Sequence, residues 1–119
     1  DHVSEEARIK GIGVVLDKIA QFGSLPAMIM GDFNVEEDTE TYRSATENFL
    51  DVKYQTKDPI KSCTYQNWGE RLDDDCIDYI MISKTGFRVN SYNVVRTTYD
   101  GVYPSDHFPI TASLTLTQG

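Results

Sequence analysis

The sequence has 119 residues, with eleven lysines and arginines against nineteen aspartates and glutamates, a formal net charge of −8. One domain fits that length, and a chain that is 39% hydrophobic and 25% charged is neither disordered nor collagen-like. The basic residues stand singly (Arg43, Lys53, Lys57, Lys61, Arg71, Lys84, Arg88, Arg96), so there is no strong basic nucleic-acid patch, and no apolar run approaches the ~20 residues of a membrane span.

The chain begins at Asp1-His2 without an initiator Met or a signal peptide, which suggests a processed chain or a fragment. Nothing in it names a compartment. Ser4 is a candidate N-cap, and Glu5 and Glu6 suit a first helical turn. Ile9, Ile12, Leu16 and Ile19 recur at spacings of three and four and predict an amphipathic helix over 5–22. Gly11 and Gly13 weaken it by about 1 kcal/mol each relative to Ala, and close packing on a sheet is the expected compensation. Gly23 and Pro26 end it.

Ala27-Met28-Ile29-Met30 reads as a buried central strand leading into Gly31-Asp32-Phe33-Asn34. A second, shorter helix is predicted from Thr39 to Phe49, behind an acidic loop, with an irregular polar stretch over 51–62. Cys63-Thr64-Tyr65 faces Cys76 to Ile82 as a hairpin with a long loop. Strands follow at Phe87–Thr97 and Phe108–Leu116. The last alternates Ile110, Ala112, Leu114 and Leu116 with Thr111, Ser113 and Thr115.

Most of the acidic residues suit solvated loops, including Glu36, Glu37, Asp38 and Glu40 and the run Asp73 to Asp75. Asp32, Asp78 and Asp106 differ, because each borders an apolar strand, and Asp106 is followed by His107. Strand ends are where open sheets place chemistry. Each residue alone is better explained structurally, by a turn, an ion pair or a satisfied histidine at a strand start. Together with Asn34 they supply a metal ligand, a His, a carboxylate to orient it and an amide, the parts of metal-assisted phosphodiester hydrolysis.

The motifs Gly31-Asp32-Phe33-Asn34, Ile77-Asp78-Tyr79-Ile80 and Ser105-Asp106-His107-Phe108-Pro109-Ile110, in that order, resemble the C-terminal half of the endonuclease/exonuclease/phosphatase superfamily. The resemblance spans essentially the whole chain. It implies an α/β fold, half of a two-layer α/β sandwich: a mixed, largely antiparallel sheet with two helices packed on one face, residues 1–119 forming one domain. It implies that Asp32 orients or activates water or serves the leaving group, and that Asn34 hydrogen-bonds the phosphate. Asp78 would fix the tautomer of His107, the general base or phosphate contact, and Asp106 would ligate a divalent cation, Mg²⁺ or Mn²⁺. The family's remaining Asn, Glu and a further His belong to its N-terminal half, and Asp1-His2 aligns just after that His, so His2 is not counted as catalytic.

Half a sandwich leaves one sheet face uncovered. The expected partners are therefore a separate N-terminal half or a second copy of the chain, with a phosphate ester as substrate: nucleic acid, phospholipid head group, or sugar or inositol phosphate. A hydrolase incomplete as this chain is the leading reading, and a non-catalytic assembly or interaction module is the alternative. Tyr65 and Trp68 suit substrate binding, and Tyr99, Val102 and Tyr103 precede Ser105 in a loop of the kind that borders the site in this family. Cys63 and Cys76 are either bonded to each other or reduced and buried.

Overall fold

The computed structural model describes residues 5–73 and 75–117; Ser4, His2 and Asp74 lie outside them. Helix α1 (Glu5–Ala20) carries Glu5 and Glu6 in its first turn and Lys18 in its last, charges that complement the helix dipole. It stops two residues before the predicted end. Gly23, at φ +68°, donates its N–H to the Ala20 carbonyl at 3.1 Å, a left-handed cap suited to glycine. Ile12, Leu16 and Ile19 face the core. The expected tight packing of Gly11 and Gly13 is absent: a Cβ at either would meet nothing within 4 Å, because both lie off that apolar stripe.

Strand β1 (Met28–Asp32), helix α2 (Glu40–Thr46), β2 (Phe49–Asp51), a 3₁₀ turn (Val52–Gln55), β3 (Asp78–Ser83), β4 (Phe87–Val94) and β5 (Ile110–Leu116) follow. They form a three-stranded sheet in the order β1-β3-β2 and a two-stranded sheet β4-β5. The pairings of both sheets are antiparallel, so the expected mixed sheet is two antiparallel ones. The α/β class, with both helices on one sheet face, is as the sequence predicts.

Three local expectations are corrected. The second helix ends at Thr46, because Phe49 and Leu50 pair with Ser83 and Ile82 and point to opposite faces. That alternation is too short to announce a strand. Strand β1 lies at an edge and β3 is central; Met28 and Met30 are 48% and 61% exposed, since no layer covers their side. Residues 63–65 do not pair with β3 as a ladder. The Cys63 N–H donates to the Asp73 carbonyl, and the Thr64 Oγ1 accepts from the N–H groups of Ile77 and Asp78 at 3.0 and 3.1 Å. Cys63 and Cys76 are buried free thiols.

The alternation of β3 divides the core. Tyr79 and Met81 pack with Ile12, Ala45 and Phe49 beneath the helices. Ile80 and Ile82 pack with Val52 and Tyr92 against β4 and β5. These four β3 side chains are nearly inaccessible, each contributing about 1.5–3 kcal/mol through burial. Glu5 fastens α1 to α2 by accepting from the Thr41 N–H and hydroxyl at 3.1 and 2.8 Å. Strand β3 is thus held between the helices and the β4–β5 sheet, β1 is covered on its helix side alone, and the ends of β1 and β3 are left open.

Candidate active site

At that open end Asp32 and Asp78 are Cα partners across the β1–β3 pair. Directly opposed residues of an antiparallel pair share a face, and like charges there repel. Past Asp32 the chain turns. Asn34 takes φ +55° and donates its N–H to Asp32 Oδ1 at 2.7 Å, an Asx turn in a left-handed conformation that Asn tolerates.

His107 enters between the two carboxylates. Its N–H donates to Ser105 Oγ at 3.2 Å, and its backbone bridges to Tyr65. The imidazole Nδ1 lies 2.8 Å from Asp78 Oδ2, and Nε2 lies 3.9 Å from Asp32 Oδ2. A carboxylate only accepts, so the pairing assigns the proton to Nδ1 and leaves Nε2 of the neutral ring as an acceptor facing Asp32. Burial, the largest single influence, pulls the His107 pKa down. The hydrogen bond to Asp78 and the charges of Asp78, Asp32 and Asp106 outweigh it and leave the pKa above the ordinary histidine value.

The site opens into a cleft of about 390 Å³ lined by Met30, Gly31, Asp78, Ser105, His107 and Pro109, among others. Among the described residues, Asp32, Asp78 and His107 each offer one ligand atom, all within 4.8 Å of one another, a group that could hold a metal ion. Carboxylate oxygens are the donors a hard cation such as magnesium takes, and the His107 Nδ1 is already engaged by Asp78, so this donor set fits a cation held chiefly through oxygen.

The other predicted residues are placed differently. Asp106 contributes its carbonyl, which accepts from the N–H groups of Gln66 and Asn67 at 2.8 and 3.2 Å; its carboxylate is outside the three-residue group. The Tyr65 ring tilts against the His107 imidazole with centroids 5.2 Å apart. Trp68 is 59% exposed, at φ +56° on a loop where Asn67 is also left-handed. Gly69, at φ +91°, takes a conformation suited to glycine, and a Cβ there would lie 2.6 Å from the Tyr103 ring. Tyr103 in turn tilts on Phe108, so the loop presenting Trp68 is packed beside the strand that follows His107. Tyr99 and Val102 are exposed.

The acidic loop after Asn34 is less solvated than expected. Glu37 accepts from the buried Lys53 ammonium and from the Tyr54 hydroxyl, and the Tyr42 hydroxyl donates to Asp51 at 2.8 Å. Thr64 and Gln66, polar residues with no motif to mark them, are both fully buried beside the site. The one sequence signal was their position on either side of Tyr65, in a stretch where polar residues belong at the surface.

The sequence model of the Endonuclease/Exonuclease/phosphatase family matches residues 5–107. Human nocturnin is 27% identical over 118 aligned residues, covering 87% of this chain and 27% of that protein. The crystal structure of an endonuclease/exonuclease/phosphatase from Bacteroides vulgatus superposes with a TM-score of 0.87 at 28% identity, covering 98% of this chain and 47% of that one. A mannosyl-6-phosphatase from Bacteroides thetaiotaomicron superposes with a TM-score of 0.80 at 26% identity, covering 98% and 48%. The chain thus spans less than half the length of each of these relatives.

Proposed function

This chain belongs to the endonuclease/exonuclease/phosphatase family, and from that membership we propose that it forms part of a divalent-metal-dependent phosphoric ester hydrolase. The observation that carries the reading is the alignment of Asp78, His107 and Asp32, with the ring nitrogens 2.8 and 3.9 Å from the two carboxylates. An imidazole fixed at one nitrogen and free at the other is suited to take or give a proton at a defined place.

In this reading Asp78 holds the Nδ1 proton and so keeps Nε2 available. His107 takes the proton of the attacking water or contacts the scissile phosphate. Asp32 orients the water or serves the leaving group, and the amide of Asn34 hydrogen-bonds a phosphate oxygen as charge develops. Asp106 would help hold a magnesium or manganese ion, which when bound would neutralise phosphate charge. Tyr65 and Trp68 would border the group attached to the phosphate.

The chain corresponds in this reading to the C-terminal half of a larger site. Support comes from the solved relatives, of which it spans 47% and 48%, and from the bare Met28 and Met30 side of β1. The 119 residues alone are accordingly expected to be inactive. Expression from the full reading frame and assay with a sugar phosphomonoester, the class suggested by the Bacteroides thetaiotaomicron relative's name, and with a nitrophenyl phosphodiester tests this. Turnover in magnesium that is abolished by EDTA and by His107→Ala is expected. Metal-dependent turnover by the 119 residues alone, lost in Asp32→Ala and His107→Ala, would overturn the incompleteness. No turnover of any ester by the whole protein would overturn the hydrolase.

A further inference from the structure

Residues 64–66 lie between the two segments that must meet for Asp78 to hold His107. On one side, Thr64 Oγ1 accepts from the backbone N–H groups of Ile77 and Asp78. On the other, the Thr64 carbonyl accepts from the Phe108 N–H at 2.6 Å, and the Gln66 N–H donates to the Asp106 carbonyl at 2.8 Å. The carboxamide of Gln66 completes the connection. Its Nε2 donates to the Ser105 carbonyl at 2.6 Å, and its Oε1 accepts from the Gly69 N–H at 2.9 Å.

Gln66 is fully buried. A buried carboxamide is costly unless both ends are paired, and an apolar side chain of the same volume would fill the space without that cost. What the carboxamide adds is direction: it ties the backbone two residues before His107 to the loop that presents Trp68. A hydrogen bond across 2.8 Å between Asp78 and His107 leaves little tolerance for drift of either partner, and displacements near 1 Å in such sites are expensive in rate.

We propose that Gln66 is a positioning residue for the Asp78–His107 pair, setting the placement of His107 through the Ser105 carbonyl while touching neither the pair nor the substrate. This rests on the hydrolase reading only for what the pair is used for; the positioning itself stands on the hydrogen bonds.

The test reads the imidazole directly. In the ¹⁵N-labelled protein expressed from the full reading frame, long-range ¹H–¹⁵N correlations assigned against His107→Ala report its tautomer, and a slowly exchanging Nδ1 proton reports its bond to Asp78. The expected result is an Nδ1–H tautomer with a protected proton in the unsubstituted chain. Both features are expected to be lost in Gln66→Met, and in Gln66→Glu, which keeps an acceptor for Gly69 but cannot donate to Ser105. The β3 amide resonances of Met81 and Ile82 should stay in place in both. Thr64→Ser, which retains the hydroxyl acceptor, is expected to keep the signature.

An unchanged tautomer and protected proton in both Gln66 variants would overturn the proposal. So would loss of the β3 resonances in both, since Gln66 would then be supporting the fold and not the pair. If only Gln66→Met disturbs β3, Gln66→Glu decides. No metal or substrate enters the measurement. An inactive whole protein with an intact, Gln66-dependent signature would therefore overturn the hydrolase reading and leave the positioning role standing.

Discussion

Asp32 and Asp78 oppose one another in register at the end of the β1–β3 pair, and His107 stands between their carboxylates. Two anions at such a position repel unless something relieves them. The imidazole does so by hydrogen-bonding one and facing the other. The hydrogen bond fixes its orientation, and both negative charges favour its protonated form. Strand register, repulsion and the His placement are thus one arrangement, built at a strand end because only there can a third segment enter between two paired residues.

The protonation of His107 follows from it. Its pKa lies above the ordinary value of ~6.5, although burial works against the charged form. Asp78→Asn removes both the charge and the best acceptor, so the His107 pKa is expected to fall. The imidazole proton titration by NMR reads this, and an unchanged or higher value would refute it. Stability carries the same sign. The folded state binds this proton more tightly than the unfolded chain, so the contribution is fully present below the unfolded pKa and is lost as pH rises through the higher folded one. Urea midpoints across that window should show a loss toward alkaline pH that shrinks in Asp78→Asn.

Of this arrangement the sequence reveals the members and not their geometry. Asp32, Asp78 and His107 were legible because each sits where an apolar strand meets a polar turn, and the three motifs occur in order. The helix over 5–22 and the alternation of β5 were legible because their periods run for many residues. Strand β2 was not, since three residues carry no period, and the edge position of β1 depends on what else is present to pair with it. The role of residues 64–66 was hidden for a different reason. Thr64 and Gln66 look like surface, and only the fold shows that the Thr64 hydroxyl and the Gln66 carboxamide nitrogen are matched to backbone groups of other segments.

The Lys53–Glu37 pair makes an asymmetric prediction. The Lys53 side chain is 3% exposed and that of Glu37 is 29%, with the ammonium also lying 5.0 Å from the centre of the Tyr54 ring. Glu37→Ala takes the hydrogen-bonded carboxylate from a cation that cannot reach water, whereas Lys53→Met leaves a Glu37 that can be hydrated and a buried Asp51 still held by the Tyr42 hydroxyl and the backbone N–H of residue 53. Removing one partner of a buried pair costs about 3 kcal/mol when the charge left behind is shut away from water, and less when that charge can be hydrated. Urea denaturation should therefore find Glu37→Ala the more destabilising by about 2 kcal/mol. Equal losses, or the reverse order, would refute the assignment of Lys53 as the stranded charge.

The cysteines should behave as two separate buried thiols. Burial pushes Cys76 up to about 11 and raises Cys63, so neither offers appreciable thiolate at neutral pH. Alkylation of the folded chain is expected to be slow. After denaturation without reductant, mass spectrometry should find two adducts per chain. An unreduced chain that takes none, and takes two only after reduction, would reveal a disulfide and refute this.

The uncovered side of β1 has a consequence for the isolated chain. Met28 and Met30 oppose Ile82 and Ile80 across the β1–β3 pair, and they border a groove of about 450 Å³ that also includes Ile110, Ala112 and Leu114. Among the described residues β1 pairs with β3 alone, so an apolar face and an unpaired strand edge occur together, the combination that drives association. Light scattering is expected to find a dimer or larger species at micromolar concentration. The double variant Met28→Lys, Met30→Lys should return a monomer, because lysines on an edge strand block pairing. Both side chains are already about half exposed in the single chain, so the substitution should shift folding stability by no more than about 1 kcal/mol. A stable monomer without the substitutions would show that the face tolerates water, and association unchanged by the double variant would place the contact elsewhere.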